Sequence, residues 1–115
     1  MTTELEREAI KAMFSDDSGQ PLKMAENKPR LSLVPYEAKA ALAAVYEYGA
    51  QKYYRDSWRS ITPDQAKEFM SDAAERHLSK HNSGEIVDPE SGLPHLAQAA
   101  WNCLTLLVLT RGNDA

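Results

Sequence analysis

The stretch RHLSKHNSGEIVDPESGLPHLAQAAWN, Arg76 to Asn102, decides how the chain folds. It leaves one helical run, crosses a turn-rich segment punctuated by Gly84, Pro89, Gly92 and Pro94, and enters another helix. All three histidines of the protein, His77, His81 and His95, lie in it, with Glu85, Asp88 and Glu90 between them. The helix it opens starts around Leu93-Pro94 and runs to about Arg111, with Gly112 as its stop. That helix is apolar nearly all round, through Leu96, Ala97, Trp101, Leu104, Leu106 and Leu109, apart from the stripe His95, Gln98 and Asn102. A helix without a wet face is central to its bundle or shared between subunits.

Upstream, Thr62-Pro63-Asp64-Gln65 combines an N-cap, a proline at the first helical position and a capping-box glutamine. The helix it starts ends near Gly84 and carries Phe69, Met70, Ala73, Ala74, His77 and Leu78 on its apolar side. Pro35 opens an alanine-rich helix to about Tyr53, and Tyr53 to Ile61 breaks the pattern. Gln20 to Val34, with Pro21 and Pro29, reads as a connector, and Thr3 with Glu6 caps a first helix reaching about Phe14. No strand alternation competes. The expectation is all-α: one domain over residues 1–115, four main helices in an oligomeric bundle, with residues 1–27 as N-terminal helix and connector and 28–111 as the core.

Charge narrows the function. At a net charge of −4 the chain lacks the basic face that a sequence-independent grip on DNA or RNA requires. Residues 51–59 nevertheless carry Lys52, Arg55 and Arg59 against Asp56, whereas Glu85, Asp88 and Glu90 form a carboxylate cluster. A positive patch and a carboxylate cluster in one small domain suit a phosphorylated small molecule with a divalent cation between them. The lone Cys103 cannot form an intramolecular disulfide, and among Trp101, Leu104 and Leu106 it is expected as a buried, inert thiol. The charged start MTTELEREAI is unlike a signal peptide, and the longest apolar run, Leu106 to Leu109, is too short to span a bilayer. A soluble cytoplasmic protein is expected.

Several groups can carry chemistry. His95 and Asn102 are seven residues apart and so lie within about 20° on one helix face, with Gln98 between. They either line a pocket or form a core hydrogen-bond network. His77 and His81 are one turn apart, but the run HLSKH lacks the glutamate of a zinc-protease helix, which argues against zinc. Glu85, Asp88 and Glu90 are either solvated turn residues or hard ligands for Mg²⁺ or Mn²⁺ on a polyphosphate, Asp88 foremost. Asp72 and Arg76 pair on a helix surface, or Arg76 turns inward to a phosphate. Lys52 is placed to contact phosphate while Trp58 stacks on a base, or else Trp58 clasps its loop to the core. There is no Walker A loop and no GxGxxG.

Three segments together resemble a known family: KPRLSLVPYEAKAALAAVYEYGAQKYYRDSWR (Lys28 to Arg59), DAAERHL (Asp72 to Leu78) and GEIVDPESGLPHLAQAAWN (Gly84 to Asn102). They are similar to small phage-encoded dATP/dGTP diphosphohydrolases of the MazZ type, kin of the MazG-like nucleotide pyrophosphohydrolases. The resemblance implies an all-α oligomeric bundle that cleaves purine deoxynucleoside triphosphates to monophosphate and pyrophosphate with a divalent metal. It implies Lys28 and Arg30 on phosphate, Trp58 near the base, and Arg76 and His77 facing the phosphates. It puts Glu85, Asp88 and His95 at the metal or the attacking water, with Asn102 supporting the pocket. The acidic signature EExxE followed by ExxD is absent, and Asp72 with Glu75 is its nearest approach. That absence motivates an alternative, a protein that sequesters the nucleotide without cutting it. A purely helical interaction protein is the other rival.

Overall fold

A computed structural model describes residues 3–13 and 27–111. The chain forms two compact units, residues 1–33 and 34–115. Parts of the predicted connector (residues 20–26), the end of the first helix at Phe14 and the stop at Gly112 lie outside the described residues.

In the first unit, α1 spans Glu4–Met13. Its start is the predicted cap: the Glu6 N–H donates to Thr3 Oγ1 at 3.1 Å, satisfying one of the amides a helix start leaves open. Among the described residues beyond it, a 3₁₀ turn lies at Leu31–Leu33, where the Leu33 N–H donates to the Arg30 carbonyl.

The second unit holds the other helices of the described residues. The first, α2, spans Tyr36–Lys52 behind Pro35, whose fixed φ of −65° ends the extended approach. A 3₁₀ turn at Ser57–Ser60 follows. The next helix, α3, is one continuous run composed of Pro63–Gln65, a π turn at Ala66–Met70 and Ser71–Asn82. The capping box is complete. Thr62 Oγ1 accepts from the Gln65 N–H at 3.2 Å, and Gln65 Oε1 accepts from the Thr62 N–H at 3.0 Å. The π turn holds one residue more than a regular turn, and Ala66 and Met70 at its two ends are buried where α3 packs on α4. The last helix, α4, spans His95–Thr110. It lies along the Ser71–Asn82 part of α3 and against α2. No strand occurs among the described residues, so the all-α expectation holds.

The core is small and partly polar. Val45, Ala66, Met70 and Ala97 are buried beside His95, Asn102, Thr105 and Thr110. Thr105 is wholly enclosed, and its hydroxyl meets the Tyr46 hydroxyl at 3.1 Å, as a buried polar group requires. Tyr46 also packs edge-on against Trp58 and Trp101, with ring centroids 5.9 and 5.8 Å away.

The outer side of α4 corrects one expectation. Leu96, Ala100, Cys103, Leu104, Leu107 and Val108 are exposed in the single chain. Cys103 is therefore not a buried thiol. Its neighbours at helical spacing, Ala100 and Leu107, form the face turned away from α2 and α3. An apolar composition all round conceals which side meets the core.

Candidate functional site

The loop between α3 and α4 is stitched by its own backbone. Gly84 takes φ +106° just past α3, a conformation that costs a residue with a Cβ. The Glu85 N–H then closes on the Lys80 carbonyl at 3.0 Å. Val87 and Pro94 form an isolated antiparallel bridge. On either side of it the Asp88 N–H donates to the Leu93 carbonyl and the His95 N–H to the Ile86 carbonyl, each at 2.9 Å. The Gly92 N–H donates to the Asp88 carbonyl at 2.7 Å, with Gly92 at φ +74°. Asp88 is thus held by its own backbone. Its Oδ1 also accepts the Glu90 N–H at 3.0 Å, and that hydrogen bond is the chief reason its carboxyl sits below its ordinary pKa.

This loop delivers three groups to one point. His77 from α3, Asp88 from the loop and His95 at the start of α4 bring their donor atoms within 4.8 Å of one another. The Nδ1 atoms of the two imidazoles are 2.8 Å apart. His95 is only 3% exposed, and its Nε2 lies 2.8 Å from Glu85 Oε2. The two ring nitrogens of His95 are thus engaged by Glu85 on one side and His77 on the other. His77 is kept below its ordinary pKa, first by burial, then by the neighbouring His95. Burial thus favours its neutral form.

A cavity of about 510 Å³ opens over this cluster. It is lined by the carboxylates Glu85, Asp88 and Glu90 and by three cations, Lys52 from α2 with Arg76 and Lys80 from α3. Gln98, one turn into α4, lines it and donates to the Leu93 carbonyl at 3.3 Å, tying helix to loop. Cations and carboxylates around one cavity suit a ligand carrying several negative charges, together with a cation to bridge it to the carboxylates.

Of the residues singled out from the sequence, Lys52, Arg76, His77, Glu85, Asp88 and His95 meet in this cavity. Trp58 lines a second cavity of about 770 Å³ with Tyr46, Tyr53 and Trp101. Packing of its ring on Tyr46 and of the Arg59 guanidinium on its face, 4.4 Å from the centroid, holds it there. Lys52 and Tyr48 belong to the first cavity, and Tyr46 and Ala50, on the other side of α2, to the second. Asn102 is buried and donates to the Gln98 carbonyl at 2.8 Å, so it serves its own helix. Asp72 is exposed on α3 and stands outside the histidine–aspartate cluster. His81 also stands outside it, its Nδ1 buried without a partner. Lys28 and Arg30 belong to the other unit. Sequence reasoning missed Lys80 and Tyr48. The signal for Lys80 was its spacing, one turn beyond Arg76 and three residues after His77.

Comparison with known proteins agrees with the resemblance. The model of the family described as dATP/dGTP diphosphohydrolase, N-terminal, matches residues 18–114. A curated protein of Salmonella phage PMBT28, named dATP/dGTP diphosphohydrolase, is 32% identical over 79 residues. That alignment covers 69% of this chain and 26% of the phage protein, so the chain spans about a quarter of its relative's length. No solved structure matches. With its match running from residue 18 to 114, the chain belongs to the dATP/dGTP diphosphohydrolase N-terminal family.

Proposed function

We propose that the cavity over His77, Asp88 and His95 binds a purine deoxynucleoside triphosphate and hydrolyses it to the monophosphate and pyrophosphate. The observation that carries this reading is the meeting of a histidine–carboxylate cluster with three cations, Lys52, Arg76 and Lys80, around one cavity. The relative's printed name supports the substrate class.

Lys52, Arg76 and Lys80 bind the phosphate chain. Arg76 can grip two oxygens at once, and the lysines act as point charges. Asp88 and the two imidazoles fit a divalent cation, Mg²⁺ or Mn²⁺. When bound, that ion neutralises phosphate charge and lowers the pKa of a water. Glu85 holds His95 in one tautomer through Oε2. Its side chain is 41% exposed and lines the cavity, so its carboxylate can receive a proton from attacking water. The cations then stabilise the charge that develops on the leaving pyrophosphate.

The exposed apolar face of α4 supports a homo-oligomer, in which a second copy covers Leu104, Leu107 and Val108. Among the described residues no helix is long and apolar enough to cross a membrane. Together with the phage relative, this supports action in the host cytoplasm.

The test is incubation with each of the four deoxynucleoside triphosphates and a divalent metal, with products separated by ion exchange. The expected result is dAMP or dGMP with pyrophosphate, lost in Asp88→Asn. If ligand binds saturably in calorimetry but is recovered intact, the protein sequesters nucleotide and the hydrolytic reading falls.

A further inference from the structure

We infer that the outward side of α2 binds a second copy of this chain. The two α2 helices pair antiparallel about Ala43, and Tyr36 of each enters the aromatic cavity of the other. The inference needs nothing from the nucleotide reading, and it concerns a different helix from the contact proposed on α4.

Helix α2 is poorly covered for its composition. It is rich in alanine and spans Tyr36–Lys52, yet Val45 is its one buried residue. On the side turned away from Val45, Tyr36, Lys39, Ala43, Glu47 and Ala50 follow at intervals of three and four and form one stripe. Tyr36 is 77% exposed, and Lys39, Ala43 and Glu47 are exposed too. A tyrosine ring so open has apolar area to bury. The stripe also borders the cavity of about 770 Å³, which Glu47 and Ala50 line together with Trp58 and Trp101. An aromatic lining of this kind accepts a further ring edge-on or offset. Tyr36 cannot reach that cavity in its own chain, because α2 rises about 21 Å from Tyr36 to Ala50. A second copy can supply it.

Charge fixes the direction and the register. In an antiparallel pair centred on Ala43, each residue faces the one equally far along on the other side of the centre. Tyr36 then faces Ala50, seven residues out, and Lys39 faces Glu47, four residues out. Twofold symmetry makes two of each contact. Every charge meets its opposite, whereas a parallel pair would set Lys39 on Lys39 and Glu47 on Glu47. Ala43 at the crossing has no side chain beyond Cβ, so the helix axes can approach closely. Tyr48 and Lys52 lie on the other side of α2 and line the cavity over the histidines. The pair therefore also braces the helix that supplies Lys52 to that cavity.

The test is site-specific disulfide formation at exposed positions, where substitution leaves the fold intact. With the exposed Cys103 removed as Cys103→Ser, Ala43→Cys is expected to give a covalent dimer under mild oxidation. Adding Lys39→Glu or Glu47→Lys alone is expected to slow that reaction about tenfold. Mixing the two charge variants is expected to restore the rate, because every reversed charge then meets its opposite. The tryptophans add a local readout, since both of the chain's, Trp58 and Trp101, line the cavity. Tyr36→Ala is expected to shift their emission to the red as water enters. No covalent dimer through Ala43, charge reversals without effect, or no recovery on mixing overturns the inference. The expected cross-linking with no turnover of any nucleotide would sink the hydrolytic reading and leave this one standing. Turnover by a chain that never cross-links through Ala43 would do the reverse.

Discussion

Replacing Glu85 by glutamine separates the work this residue does for the fold from the work it does for the site. Glutamine keeps the length and an oxygen that can accept from His95 Nε2, and removes the charge. The pair is only half sheltered, with the His95 side chain 4% exposed and that of Glu85 41%. Solvent therefore screens the charge, and the loss of stability is about 0.5 kcal/mol or less. In a unit of this size that lowers Tm by ~2–4 °C. The effect on the site is larger. A carboxylate behind a ligating histidine is worth about 10–100-fold in metal affinity, or roughly 1.4–2.7 kcal/mol. If the glutamine instead turns its NH₂ group to Nε2, His95 must move its proton to Nδ1, and the ligand is lost altogether. Thermal melts, Mn²⁺ titration and dGTP turnover on one preparation compare the two effects. Metal affinity within about twofold of wild type, or a stability loss above about 2 kcal/mol, would refute the assignment of Glu85 to the site rather than to the fold.

Other perturbations address other parts of the molecule. Thr62→Ala removes a complete capping box and is expected to cost ~1 kcal/mol in denaturant unfolding, leaving metal affinity unchanged. Asp72→Asn, outside the cluster, is expected to shift Mn²⁺ affinity less than about twofold; a larger loss in titration would bring Asp72 back as a ligand. The ordinary imidazole pKa of 6.5 is lowered for His77, chiefly by burial and next by His95. The fold therefore favours neutral His77, and that contribution is complete above pH 6.5 and lost as the pH falls from there through the lowered value. A proton NMR titration of the metal-free chain should place the His77 midpoint below 6.5, and His95→Gln should raise it. Leu104→Lys, at a position 43% exposed on the outer face of α4, is expected to break subunit association in light scattering with a melting change of only a few degrees; an unchanged assembly would remove that face from the interface.

Much of the fold was written in local chemistry. Thr62, Pro63 and Gln65 satisfy one another within four residues, so their helix start needs nothing from the rest of the chain. The turn from Gly84 to Pro94 was equally legible, because its glycines and prolines carry their backbone preferences with them. Orientation was not. His95 and Asn102 share a stripe, yet His95 faces Glu85 and His77 whereas Asn102 bonds back to Gln98. Spacing does not distinguish a side chain that reaches out from one that serves its own backbone. Trp58 and Lys52 are six residues apart and line different cavities, because α2 separates them. Cys103 reads as core by its neighbours, but a helix apolar on every side does not declare its inner face. The π turn at Ala66–Met70, which packs on α4, left no recognisable mark in the sequence.

Phosphorus-31 NMR of dGTP incubated with the intact chain and Mn²⁺ tests the central claim most directly, because it reads which bond breaks. If the histidine–aspartate cluster and the three cations act on a triphosphate as argued, the three triphosphate resonances give way to those of a monophosphate and pyrophosphate, with no diphosphate intermediate. A spectrum that stays that of intact dGTP, or that releases orthophosphate and dGDP instead, would contradict the account.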